Sequence, residues 1–242
     1  MAIRLFDMDR QLLPLKYSFH NLLIWLFLYL VAAPFLQDMA YAKVILSIFI
    51  SSVLFFAVCA INKENPIFKS VILLMAISLL LIWLDVLNVV HFPYLVNNSI
   101  LIIYLAILVY AFTLHVFNAK KVDSSLICAA LSLYLLIGML WGLVYEVLEL
   151  LVPGSFAGDL LKNTQSALEM RQHFQYLSFV TLTTLGYGDI LPQTPGASAL
   201  CHTEAIVGQI FLAVLVARLV GIQVSQQFSD SSGHGDGDKG AS

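Results

Sequence analysis

The sequence predicts an all-α integral membrane fold: six transmembrane helices plus one shorter helix that enters the membrane and turns back. Three observations predict it. Of 242 residues, 60% are hydrophobic and only 11% charged, with a mean hydropathy of +0.89, which leaves too little polar surface to cover a soluble globule. Six apolar runs reach the ~20 residues that a helix needs to cross about 30 Å of hydrocarbon. Between the fifth and sixth runs lies a long gap holding a helical pattern too short to cross, followed at once by a glycine-rich stretch.

The runs are 18–36, 42–61, 70–90, 99–117, 124–147 and 203–224. Polar or turn-forming breaks separate them: "QD" after the first, "NKENP" after the second, "HFPYLVNN" after the third and "NAKKVD" after the fourth. No small-residue cleavage site follows the first run, so it is expected to stay as a signal anchor. Arg4, Arg10 and Lys16 precede the first span, Lys63 and Lys69 follow the second, and Lys120 and Lys121 follow the fourth. The opposite side holds Lys43, Lys162 and Arg171. The excess of cations on one side predicts a multi-pass protein of the cell (inner or plasma) membrane with both termini cytoplasmic and the 148–202 segment outside. The Gly-, Ser- and Asp-rich tail 229–242 cannot bury a core and is expected to be disordered. A net charge of -3 without a basic patch argues against nucleic acid as a partner. Cys59, Cys128 and Cys201 have neither disulfide nor metal spacing.

Within 148–202, Pro153 and Gly154 end the fifth helix, a polar turret follows, and "RQHFQYLSFVTLT" has helical length but cannot span. Directly behind it stand Thr183, Thr184, Leu185, Gly186, Tyr187, Gly188 and Asp189. Non-helical backbone at membrane depth survives only where protein buries it or water fills the space it lines. Glycines at alternate positions permit backbone angles that turn successive carbonyls toward one axis. Four copies would stack these oxygens in rings able to replace the hydration shell of a cation, with the carboxyl ends of the short helices aimed at the cavity behind.

The string "TTLGYGD" resembles the signature of potassium channels, and the stretch 124–226 is similar to the pore of bacterial members of the six-span, voltage-gated-like superfamily. The resemblance implies a homotetramer in membrane lipid around one central pore, conducting K+ passively, with no enzymatic activity and no cofactor beyond the permeant ion. It implies domains at 1–17 (cytoplasmic), 18–121 (a four-helix sensor-like bundle), 122–228 (outer helix, turret, pore helix, filter and inner helix) and 229–242 (tail). K+ would be held by backbone carbonyls of Thr184, Leu185, Gly186, Tyr187 and Gly188 and by the Thr184 hydroxyl. Thr183 would support the loop, Tyr187 would point away from the axis and brace it, and Asp189 at the outer mouth would bond Tyr176. Leu185 stands where Val is commoner; its side chain would face the scaffold, so selectivity is expected to survive. Glu149 would bond the outer loop behind the pore.

On the sixth span the cavity stripe implied by similarity is Gln209, Leu212, Val216 and Val220, which recur at helical spacing. Gly208 is either a hinge or a small residue that lets helices approach. Arg218 lies about half a helical turn from Gln209 in phase and should point away from the pore. It would either reach the membrane interface or a neighbouring segment, or brace the gate against the fourth-to-fifth linker near Asp123.

The fourth span has neither Lys nor Arg, and His115 there reads as a packed neutral imidazole, so no steep voltage dependence is expected. Asp85, Glu146 and Glu149 sit near span ends, where interfacial solvation is the cheaper account. Cys201, His202 and Glu204 form a weak candidate metal group without a second cluster. Two alternatives stand beside the channel. One is a non-conducting or weakly selective channel-like subunit, against which the intact glycine alternation argues. The other is an intramembrane aspartyl protease, since "GYGD" fits a G-x-G-D string; that needs a second aspartate to share a proton, and Asp85 lies in plain "WLDVLN".

Overall fold

The computed structural model describes the backbone of residues 2–36, 39, 41–61, 67–89, 93–162, 164 and 166–233, with side chains over 18–227 of that set. In chain order these residues form α1 (Ala2–Leu36), α2 (Ala42–Cys59), α3 (Phe68–Val86), α4 (Tyr94–Asn118), α5 (Ser124–Leu151), β1 (Phe156–Gly158), α6 (Asp159–Lys162), α7 (Ala167–Leu182), β2 (Ile190–Pro192) and α8 (Pro195–Gly233). Among them six are long and apolar enough to cross a membrane: α2 to α5 whole, α1 over Ser18–Leu36 and α8 over Pro195–Gln227. The chain is thus a predominantly helical multi-pass membrane protein, and α7 is its short seventh major helix.

Helix ends differ from the apolar runs in an instructive way. The first helix begins at Ala2 and the last extends from Pro195 to Gly233, well beyond 203–224. Hydropathy marks the part of a helix that fits hydrocarbon, whereas each further helical residue adds one backbone hydrogen bond to a nucleus already formed. Pro195 suits a first helical position because its missing N–H needs no partner there, and the Thr194 hydroxyl accepts from Ala197 N at 3.2 Å. The disorder expected from 229 onward is corrected for 229–233, which continue α8; residues 234–242 lie outside the described residues.

Helices α1 to α4 pack in chain order, α1 on α2, α2 on α3 and α3 on α4. The circuit closes where Phe19 of α1 stacks on His115 of α4 at 5.0 Å and meets Phe112 edge-on at 5.3 Å. Inside, the Tyr104 hydroxyl donates to the Leu54 carbonyl at 2.8 Å, which satisfies the one polar atom of a fully buried ring. This core does not stop at the bundle. It continues through Leu133 and Leu136 of α5, which packs against both α1 and α4.

Helix α7 lies on α5, and a Cβ on Gly142 would fall 2.9 Å from Gln175 Cα, so only glycine permits that approach. A second apolar cluster, with Tyr145, Phe156, Phe174 and Ile190, sits around the two strands. The turret expected after Gly154 is more ordered than the sequence implied. Strand β1 pairs antiparallel with β2, Phe156 opposite Pro192 and Gly158 opposite Ile190. Three-residue strands carry too little alternation to be read from sequence.

Ionic contacts fix the start of α7. Arg171 Nε donates to Glu146 Oε2 of α5 at 3.2 Å, its Nη2 donates to Asn98 Oδ1 of α4, and its guanidinium lies 5.4 Å from the Tyr94 ring centre. Gln172 Nε2 reaches the Ala33 carbonyl of α1 at 3.2 Å. Glu146 is 1% exposed, which corrects the expectation of interfacial solvation: the carboxylate is paired inside the fold instead. Breaking a buried pair from one side leaves an uncompensated charge, at about 3–5 kcal/mol. Arg171→Ala is therefore expected to destabilise the protein by that order in detergent unfolding, and Glu146→Gln added to it should recover part of the loss. Equal stability of wild type and Arg171→Ala would remove the pair from the account.

Candidate functional site

The site is the 183–189 loop and what holds it. Ser166 caps α7 by accepting from Glu169 N at 3.2 Å, and Glu169 supplies the acidic first turn that such a start favours. At the other end the freed carbonyls find partners locally. Leu185 N and Gly186 N donate to the Val180 carbonyl at 2.9 and 3.3 Å, and Thr184 N donates to Thr181 O at 2.9 Å. The Thr183 hydroxyl donates to Phe179 O at 2.6 Å. The negative end of α7 is thereby folded back against the root of the loop.

Beyond this root the backbone alternates. Thr184, Gly186 and Gly188 have φ of +58°, +60° and +76°, while Leu185 and Tyr187 do not enter the positive region. At Thr184 the positive φ also closes α7 with a left-handed cap, the Thr184 and Leu185 amides folding back onto Thr181 and Val180. For Gly186 and Gly188 this conformation carries little strain, but for β-branched Thr184 it is an outlier that costs about 1–3 kcal/mol. The Thr184 hydroxyl donates to Thr183 O at 2.7 Å and accepts from Gln209 Nε2 of α8 at 3.2 Å.

The far end of the loop is pinned in turn. The Tyr176 hydroxyl donates to Asp189 Oδ2 at 2.6 Å, and Asp189 Oδ1 accepts from Ile190 N at 3.1 Å. Burial, and then the bond to Asp189, pushes the Tyr176 phenol up to about 12. Glu149 accepts from Gly154 N at 2.7 Å and from Phe156 N at 3.0 Å. Those bonds set β1, β1 sets β2, and β2 begins at the residue after Asp189. Leu185 and Tyr187 are 55% and 67% exposed, so the chain itself supplies little packing surface for either.

On α8 the buried line is Glu204, Gly208 and Leu215, facing α5 and α7. A Cβ on Gly208 would lie 2.9 Å from Leu182 Cδ1 and would collide with the Leu182 carbonyl oxygen. Of the two readings open for this glycine, close helix approach is the one that the packing requires. Gln209, Leu212, Val216 and Val220 all lie on the exposed side, together with Ile206, Ile210 and Val214, so exposure alone does not single out the stripe. Arg218 points away from Gln209 and reaches the linker between α4 and α5. Its Nη2 donates to Ala119 O at 3.1 Å and its guanidinium lies 5.8 Å from the Phe117 ring centre. Asp123, in the same linker, caps α5 by accepting from Leu126 N at 2.9 Å. Gln226 adds a second tie, accepting from Val122 N at 3.3 Å.

Three further placements bear on the sequence reading. Cys201 and Glu204 both face Tyr145, but His202 is exposed and stands apart from them, and no metal-type cluster occurs among the described residues. Asp85 pairs with Lys43 at 3.1 Å in a half-exposed setting, a network separate from that of Asp189, so the two aspartates are not engaged as a pair. Arg171, Glu204 and the strand pair were missed as parts of the site. Arg171 had a faint signal as a cation beside an apolar helix, and Glu204 as a carboxylate inside an apolar run.

Arg218 meets a backbone carbonyl, so its loss should cost about 1.5–3 kcal/mol as a charge-assisted hydrogen bond. Arg218→Glu is expected to lower the unfolding midpoint, and Asp123→Arg is not expected to restore it. Full recovery in the double variant would show a carboxylate partner instead.

Residues 129–224, from the first turns of α5 through α7 and the loop to α8, match a family model described as ion channel. No curated protein and no solved structure matches the chain. The loop and the helices that grip it thus fall within a segment similar to ion channels, in a multi-pass membrane protein.

Proposed function

We propose that the protein is a potassium-selective channel in which four copies surround one pore, with the 184–188 loop as its selectivity filter. The observation that carries the reading is the loop's backbone, which takes positive φ at every second residue, 184, 186 and 188, and stands exposed at the end of a non-spanning helix. Lipid cannot satisfy such backbone, so it must face water, ions or further protein. A single strand of carbonyls cannot enclose an ion, and one such loop per chain calls for further copies arranged about an axis. The helix behind the loop is covered accordingly little. Most of α8 stands exposed, whereas α5 is buried along much of its length, which leaves α8 a broad face for neighbouring subunits and a water-filled cavity.

In this assembly the carbonyls of Thr184, Leu185, Gly186, Tyr187 and Gly188 and the Thr184 hydroxyl replace the water around K+. Adjoining copies supply the scaffold for Leu185 and Tyr187, and Gln209, Leu212, Val216 and Val220 line the cavity. Residues 122–228 form the pore unit and 18–121 a bundle that resembles a voltage sensor in its number of helices. The termini lie in the cytoplasm. Moving one charge through the membrane field is worth ~2.3 kcal/mol per 100 mV, and α4 carries neither Lys nor Arg to supply it.

Purified protein in liposomes is expected to pass K+ and not Na+, and Gly186→Ala, which forces a Cβ into the positive-φ region, should abolish the discrimination or the flux. Equal permeation of both ions by the wild type would sink the selectivity, and a monomer in detergent and in lipid would sink the pore. In bilayer recordings the open probability is expected to change only shallowly with voltage; a steep sigmoid moving several charges per subunit would overturn the assignment of α4.

A further inference from the structure

Behind the loop a carboxyl group is sealed between three helices. Glu204 of α8 is 0% exposed. One of its oxygens, Oε2, is bonded to the Tyr145 hydroxyl of α5, and the other, Oε1, to the Ser178 hydroxyl of α7. Ser178 Oγ also lies 2.7 Å from the Gly138 carbonyl oxygen of α5. Among the described residues the titratable groups that face Glu204 are Tyr145 and Tyr134 on α5 and Cys201 one turn back on α8, while α7 faces it with Ser178; none of these is a cation.

Counting protons orders this network. A carbonyl oxygen can only accept, so the contact at Gly138 takes the single hydroxyl proton of Ser178. Ser178 then has no proton left for Glu204, and two bare oxygens at bonding distance would repel. The contact is satisfied if Glu204 donates to Ser178. The chain then runs without a gap: Tyr145 O–H to Oε2, Oε1–H to Ser178 Oγ, Ser178 O–H to Gly138 O. An ionised carboxylate would break this order and would also stand buried without a countercharge, which is a large desolvation penalty.

We propose that Glu204 is a neutral carboxylic acid whose proton completes a clamp joining α5, α7 and α8 behind the conducting loop. It is a positioning residue. Its effect on conduction rests on the channel reading, but its protonation does not. Ser178 lies on the same short helix whose end carries the loop, so the clamp fixes that helix against the inner and outer helices together.

The test is infrared difference spectroscopy of the full-length protein in lipid at neutral pH, wild type against Glu204→Gln. The expected result is a protonated-carboxyl C=O band in the wild type that is lost in the variant. Tyr145→Phe serves as the second variant: it removes the donor to the carbonyl oxygen, so the band should persist and move to higher frequency. A wild type without the band, or a band untouched by both substitutions, overturns the proposal. Flux in the same liposomes separates the two readings. Glu204→Gln, which keeps a donor for Ser178 and an acceptor for Tyr145, should retain K+ flux that Glu204→Ala loses; loss in both, with Glu204→Gln still folded, refutes the positioning role. A wild type showing the band but no flux leaves the neutral acid standing and defeats only the channel.

Discussion

Backbone amides and carbonyls at membrane depth cannot be left to lipid, and most of this structure follows from that constraint. Six helices meet it internally. The 183–189 loop does not, and the surrounding helices are arranged so that it can exist. Its root is bonded back into the end of α7, its hydroxyl to Gln209 of α8, and its exit to Tyr176 and the β1–β2 pair. The strain of a threonine at φ +58° is tolerated because neighbours on both sides fix the backbone around it.

The helix that carries the loop is in turn held from several directions by different chemistry. At its start, Arg171 and Gln172 bind α5, α4 and α1 through ionic and polar contacts. At its middle, Gly142 allows van der Waals contact with α5, and Ser178 joins Glu204 and the Gly138 carbonyl. At its end, Gly208 lets α8 pass directly beneath Leu182. A change in the position of the first four helices therefore reaches α7 through named bonds rather than through a flexible connection. A second route runs along the other side of the molecule, where the short linker 119–123 receives Arg218 and Gln226 of α8. In the proposed pore these two routes give the bundle a grip on both the filter helix and the inner helix of its own chain, whatever stimulus moves it.

Which residues can enter hydrocarbon and which cannot was legible in the sequence, because that depends on composition over about 20 residues. So was the special character of 183–189, because alternating glycines after a non-spanning helix have a local backbone meaning. The pattern left open the true ends of α1 and α8, since helical propagation ignores hydropathy, and it misjudged Glu146, which looked like a solvated end residue. The long-range pairings came from packing: that Glu146 meets Arg171, that Arg218 meets Ala119, that β1 finds β2, and that Glu204 is enclosed with Tyr145 and Ser178. Each is a pairing between groups far apart in the chain, and whether a buried polar side chain has a partner depends on three-dimensional packing that no local pattern encodes.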